Sequence, residues 1–109
     1  MKPKATASAS YVRVGVERGR ELLTCADTLV LDVRDAQSFA AAHIDSAQHI
    51  VGSDSERLLA HTPRTTPILI YCYHGNASGF YAQIFADFGF PKVYSLDGGY
   101  EAWRAALTP

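Results

Sequence analysis

Short apolar runs alternate along the chain with segments whose apolar residues recur at helical spacing. Tyr11-Val12-Arg13-Val14 reads as a short strand and Val16 to Leu23 as a short helix, with Gly19 weakening the helical pattern. Thr28 to Val33 is a stronger, buried strand. Asp35 stands where its carboxylate can accept from the free N–H groups of a brief helix through Phe39 and Ala42. Ala47-Gln48-His49-Ile50 gives a third strand. Ser53-Asp54-Ser55-Glu56 has the form of a capping box, in which Ser53 and Glu56 satisfy each other's backbone donors; it predicts a helix through Leu58 and Leu59 that Thr62-Pro63 ends.

Ile68-Leu69-Ile70-Tyr71 is continuously apolar, as a strand buried on both faces should be. A polar, glycine-containing turn follows it. An amphipathic helix is predicted from near Gly79, with Phe80, Tyr81, Ile84, Phe85 and Phe88 on one face and Gly89 and Pro91 as its stop. Lys92 to Leu96 makes the last strand, and Gly98-Gly99 leads into Tyr100, Trp103 and Leu107, a core-facing stripe at helical spacing. Strands alternating with helices call for an α/β fold: a mainly parallel sheet with helices on both faces.

The 109 residues, 48% of them hydrophobic and 19% charged, fit one domain over residues 11–109, preceded by a loosely ordered, flexible tail over residues 1–10. Ten basic residues stand against eleven acidic, and no cluster of Lys or Arg marks a nucleic-acid or anionic-membrane partner. The basic start is followed by no apolar core of signal-peptide length, and no run is long enough to span a bilayer. With two cysteines, Cys25 and Cys72, there is no disulfide framework, which suits a reduced, cytoplasmic setting.

Candidate chemistry concentrates at Cys72, where the apolar strand ends and Tyr73-His74-Gly75-Asn76-Ala77-Ser78 leads into a helix. Ligands in open α/β sheets bind beyond the carboxyl ends of the strands, where a helix N-terminus offers unpaired N–H groups and partial positive charge. The thiolate is the reactive form of cysteine. A helix terminus contributes about 0.3–1 kcal/mol when exposed and up to about 2 when partly buried, against about 1.4 kcal/mol per pKa unit. Several loop N–H groups must therefore add to it, and Gly75 lets the chain turn so that they can point inward.

Between Arg64 and Lys92 there is no Lys or Arg. A cysteine phosphatase normally sets an Arg fork around a transferring dianion, so a loop lined by backbone amides favours a smaller group, such as one sulfur atom held as a persulfide. The structural alternative for Cys72 is a buried apolar cysteine at a strand end. Cys25 reads as a structural or incidental thiol. A metal site would recruit Cys72 and His74 with His43, His49 or His61, yet no paired ligand spacing exists. His74 is either a partner that favours the thiolate or a solvated loop residue, and His43 reads as structural. Asp32 within a strand would be costly to bury unless paired, and Arg34 points to the same face; the two are expected to hold neighbouring loops.

Leu31-Asp32-Val33-Arg34-Asp35, Ala42-His43-Ile44, the loop Cys72 to Ser78, and Leu96-Asp97-Gly98-Gly99-Tyr100-Glu101-Ala102-Trp103 together resemble the rhodanese family of sulfurtransferases. The likeness covers the chain from Tyr11 to Leu107. It is greatest to the short single-domain thiosulfate sulfurtransferases, whose Gln-Ser-Phe-Ala stretch recurs here as Gln37 to Ala40. The resemblance implies a five-stranded parallel sheet and a double-displacement reaction. Cys72 would take the outer sulfur of thiosulfate as a persulfide and pass it to cyanide or to a dithiol protein such as thioredoxin. Tyr73, His74, Gly75, Asn76, Ala77 and Ser78 correspond to the substrate loop, with Ser78 adding a hydroxyl donor, and no organic cofactor or metal is implied.

Two departures stand out. The family's Gly-His-Ile-Pro-Gly becomes Ala42-His43-Ile44-Asp45-Ser46, which alters a turn, and the fifth residue after the cysteine, often Arg or Ser, is Ala77, which removes a polar contact. The alternatives implied by the same resemblance are a phosphatase or arsenate reductase, whose loop is one residue longer and holds an Arg, and a non-catalytic sulfur-carrier or binding module.

Overall fold

The computed structural model describes residues 10–107, so the predicted tail lies, apart from Ser10, outside the described residues. Its elements in chain order are β1 (Val12–Val14), α1 (Val16–Leu23), β2 (Leu29–Asp32), α2 (Ala36–Ala41), β3 (Gln48–His49), α3 (Gly52–His61), β4 (Ile68–Tyr71), α4 (Ala77–Asp87), β5 (Val93–Leu96) and α5 (Gly99–Leu107). The five strands form one sheet in the order β1-β5-β4-β2-β3, and every pairing is parallel. The α/β expectation is met. Parallel pairing also puts the carboxyl ends of all five strands along one edge, where the loops after β2, β3, β4 and β5 gather.

Strand periodicity divides the core in two, because successive side chains of β2 and β4 point to opposite faces. Leu31, Ile68 and Ile70 join Leu58 and Leu59 of α3 and Ala82 and Phe85 of α4 on one face. Val30, Leu69 and Tyr71 join Leu22 of α1 and Trp103 of α5 on the other. Ile68, Leu69 and Ile70 are each fully buried, and each contributes about 1.5–3 kcal/mol relative to an exposed side chain. Truncating any of them would also leave a cavity beneath the site.

Several local expectations need correction. Helix α3 is not held by Ser53 and Glu56: the Asp54 carboxylate accepts from the Val51 N–H at 2.9 Å, which places the cap two residues earlier. Asp35 stands at the N-cap of α2, but its carboxylate makes no cap hydrogen bond and instead accepts from the Tyr73 hydroxyl. Helix α4 begins at Ala77, not Gly79, and buries Ser78, Ala82, Phe85 and Ala86. Phe80 and Phe88 are exposed, because the small residues of this helix let it approach the sheet closely and so set its inward face. On α5, Trp103 is buried but Leu107 is exposed.

The C-terminal end of α4 follows the sequence better. Phe90 N–H donates to Phe85 O at 3.2 Å and Gly89 N–H to Ala86 O at 3.0 Å. This is the double hydrogen bond of a Schellman stop, and Phe85 and Phe90 close it edge to face at 5.3 Å. The altered turn after α2 keeps a left-handed residue, Ser46 at φ 74°. That conformation costs a side-chain-bearing residue roughly 1 kcal/mol more than glycine.

Candidate active site

Strand β4 delivers Cys72 to the sheet edge, and α4 begins five residues later, at Ala77. Between them the chain folds back over the sulfur. Gly75 N–H donates to Cys72 Sγ at 3.1 Å and Ser78 N–H at 3.3 Å, while the Ser78 hydroxyl lies 3.4 Å from the same atom. Gly75 has φ 106°, in the left-handed region, which a side chain would strain.

The loop's carbonyls are held from the opposite side. Tyr100 N–H donates to Cys72 O at 2.8 Å and Glu101 N–H to Tyr73 O at 3.2 Å, so the first turn of α5 draws these oxygens away from the sulfur. Gly99, at φ 58°, makes the approach possible: a Cβ there would stand 2.5 Å from Cys72 O and from Tyr73 C. The Gly-Gly step that the sequence offers as a helix start is thus also the seat of the Cys72 peptide.

Cys72 is 3% exposed, so it lies beneath its loop. It is not a packing cysteine, since it belongs to neither apolar cluster and its neighbours are hydrogen-bond donors. Burial, the largest single influence, pushes the thiol up. The Ser78 hydroxyl and the N–H groups of Ser78, Gly75 and His74 outweigh it, and the thiol titrates below its ordinary value.

Of the other loop residues, His74 offers its N–H, while its ring is exposed at 6.5 Å from the Tyr73 ring. Tyr73 turns its hydroxyl to Asp35 and to Ser38 Oγ, the latter 3.0 Å away. The Ser38 and Tyr73 hydrogen bonds hold the Asp35 carboxyl below its usual range. Asn76 caps α4 without a side-chain hydrogen bond, and Ala77 is exposed on the first turn. Ser95 is the residue that reading the loop missed. Its hydroxyl lies 2.8 Å from Ser78 Oγ, and it is 2% exposed on β5, in register with Ile70.

Beside the loop, Asp32 and Arg34 form a buried pair at 2.7 Å, and Arg34 also donates to Ala42 O at 2.7 Å. The Arg34 guanidinium lies 4.2 Å from the Tyr100 ring centroid, with the rings of Tyr71 and Tyr73 near it. The pair holds three loops together, as expected. The histidines considered for a metal are dispersed: His43 Nδ1–H donates to Phe39 O and His49 Nε2–H to Arg34 O. Among the described residues no group of three His, Cys, Asp or Glu is placed to hold a metal ion. Cys25 is exposed and unpaired with Cys72. Two clefts of about 330 and 250 Å³ open over Leu59 and Phe88 and over His43 and Trp103. Neither is lined by Cys72.

Residues 16–106 match the Rhodanese-like domain family. The chain belongs to that family. Among its rhodanese relatives, the thiosulfate sulfurtransferase GlpE of Tolumonas auensis is 35% identical over 88% of this chain and 91% of that protein. The GlpE of Pseudomonas aeruginosa is 40% identical over 90% of this chain and 88% of that protein. A rhodanese-related protein of Thermoplasma volcanium superposes with a TM-score of 0.75 at 22% identity, covering 91% of this chain and 96% of its own. A Rhodopseudomonas palustris protein described as a possible tyrosine phosphatase does so at 0.76 and 22%, covering 96% and 88%. At these identities the two structures speak for the rhodanese fold alone. Among the described residues no helix is long and apolar enough to cross a membrane.

Proposed function

We propose that the chain is a thiosulfate sulfurtransferase in which Cys72 carries the sulfur and residues 73–78 form the substrate loop. The observation that carries this reading is the convergence of main-chain N–H groups on Sγ, at 3.1 and 3.3 Å, in a loop without a cationic side chain. Neutral donors stabilise a singly charged sulfur without the fork that a phosphoryl dianion calls for.

The Cys72 thiolate attacks the sulfane sulfur of thiosulfate, the S–S bond of the donor breaks, and sulfite leaves with the bonding pair. The enzyme is then Cys72–S–S⁻, its outer sulfur within reach of the loop's N–H groups. A thiophilic acceptor attacks that outer sulfur and the Cys72 thiolate leaves. Cyanide departs as thiocyanate. A dithiol becomes a persulfide, which its second thiol resolves to a disulfide with release of sulfide. A thioredoxin-like dithiol acceptor and a cytoplasmic location fit two unpaired thiols, one of which must stay reduced to act. The unit that performs the reaction is residues 11–109.

Incubation with thiosulfate is expected to leave the protein heavier by one sulfur atom by intact mass, removable by cyanide and absent in Cys72→Ala. Absence of that adduct in the wild type would overturn the reading. So would hydrolysis of p-nitrophenyl phosphate that disappears in Cys72→Ser, which would instead support the phosphatase alternative.

A further inference from the structure

We propose that Ser95 is a positioning residue for the sulfur: its hydroxyl donates to Ser78 Oγ and so commits the Ser78 hydrogen to Cys72. The three atoms form a buried row, Cys72 Sγ to Ser78 Oγ at 3.4 Å and Ser78 Oγ to Ser95 Oγ at 2.8 Å. Ser78 is fully buried and Ser95 is 2% exposed, so water is not at hand to complete either hydroxyl.

Proton counting gives the row its direction. With the thiol protonated, three hydrogens share two contacts, and one has no acceptor within the row. Once the thiol proton leaves to solvent or base, two hydrogens serve two contacts: Ser95 donates to Ser78, and Ser78 donates to the sulfur. Every hydroxyl in the row is then satisfied. Ser78 alone would also satisfy the thiolate, but a serine in the first turn of a helix can instead swing its hydrogen towards backbone acceptors. Ser95 opposes this by occupying the Ser78 lone pair from β5, and it polarises the Ser78 O–H as a donor.

The charged and titratable groups around the row have other partners. Asp32 is paired with Arg34, Arg13 with Asp97 and Glu101 with Arg104. The Tyr73 hydroxyl goes to Asp35 and the Tyr71 hydroxyl accepts from Ile44 N–H. The Tyr11 hydroxyl lies against Gly79, and the His74 ring is exposed. The side chain that reaches the sulfur is that of Ser78. This inference deepens the sulfur-transfer reading and rests on it for meaning, but its test needs no sulfur donor.

The thiol pKa of the full chain is read from the pH dependence of thiolate absorbance and of alkylation at Cys72, with Cys25→Ser as the background. Ser95→Thr and Ser95→Val have side chains of nearly equal volume, and only the first keeps the hydroxyl. We expect Ser95→Val to raise the thiol pKa by about half a unit, a roughly threefold loss of thiolate at any pH below both titration midpoints, and Ser95→Thr to restore it. In a Ser78→Ala background the two should titrate alike. Equal values for Thr and Val in the presence of Ser78 would overturn the proposal, as would a Val effect that persists undiminished without Ser78. Thermal melts identify any variant that fails to fold. Should the branched side chains prove too large for β5, Ser95→Ala removes the same hydroxyl without added bulk and carries the same expectation against the wild type. A missing thiosulfate adduct alongside the expected titration would sink the sulfur-transfer reading and leave this one standing.

Discussion

Adjacent strands of the sheet end in two buried sites that can hold negative charge, and they do so in opposite ways. At the end of β2, Asp32 is fully buried and neutralised by the Arg34 guanidinium at 2.7 Å. At the end of β4, Cys72 is 3% exposed and faces main-chain N–H groups and a hydroxyl. A permanent charge with a structural task can be locked to a cation. On the proposed function, a sulfur that attacks, accepts an atom and releases it is better served by neutral dipoles, which stabilise its charge without binding it as an ion pair. The cost of desolvation is met in both places, but only the second site is left free to change its bonding.

The largest effect expected from breaking this contrast is on the β2 side. Arg34→Ala leaves Asp32 buried without its partner, and should lower the unfolding free energy by about 3–5 kcal/mol in a urea titration. A loss under about 1 kcal/mol would mean that the pair does not hold the loops together.

Ser78→Ala acts on the β4 side and should change titration more than stability. It removes the hydroxyl and leaves the N–H, so the thiol pKa should rise by about one unit. The acidic limb of the kcat/KM profile should move up with it, because less thiolate is present at a given pH. The folded thiol of the wild type titrates below its ordinary value. The stability linked to it is therefore present above the unfolded thiol's value and is lost as pH falls through the lower, folded one. In Ser78→Ala that window narrows. An unmoved acidic limb would show that the hydroxyl does not act on the sulfur.

The smallest effect sharpens the comparison by touching only the turn beyond Arg34. Ser46→Gly relieves the left-handed serine and should stabilise the fold by up to about 1 kcal/mol, while the thiol titration stays in place. Destabilisation in chemical denaturation would show that the serine side chain contributes more than its backbone strain costs.

The sequence carried the β4 side more legibly than its supports. An apolar run, a glycine turn and a helix are local, so the strand, the loop and the place of the cysteine between them could be read from Ile68 to Ser78. The Asp32 and Arg34 pair was legible for the same reason, two residues apart on one strand end. Ser95 was not, because its partner lies across a strand pairing whose register, Ile70 beside Ser95, no single sequence displays. The face of α4 was read in part: of the stripe Phe80, Tyr81, Ile84, Phe85 and Phe88, Phe85 is buried and Tyr81 and Ile84 pack against the core, whereas Phe80 and Phe88 are exposed because Ser78, Ala82 and Ala86 share the buried face. The cap of α3 was misplaced because Ser53 to Glu56 has the form of a capping box, whereas geometry sets the N-cap at Val51, with the Asp54 carboxylate reaching back to its N–H.

The grip of Tyr100 and Glu101 on the carbonyls of Cys72 and Tyr73 has a temporal meaning. While the protein is being synthesised, a chain that has reached Asp87 already contains the cysteine and its entire loop but lacks the helix that orients them. The two carbonyls are then still without the Tyr100 and Glu101 N–H groups, so the loop is held in its final orientation only when residues 99–101 dock.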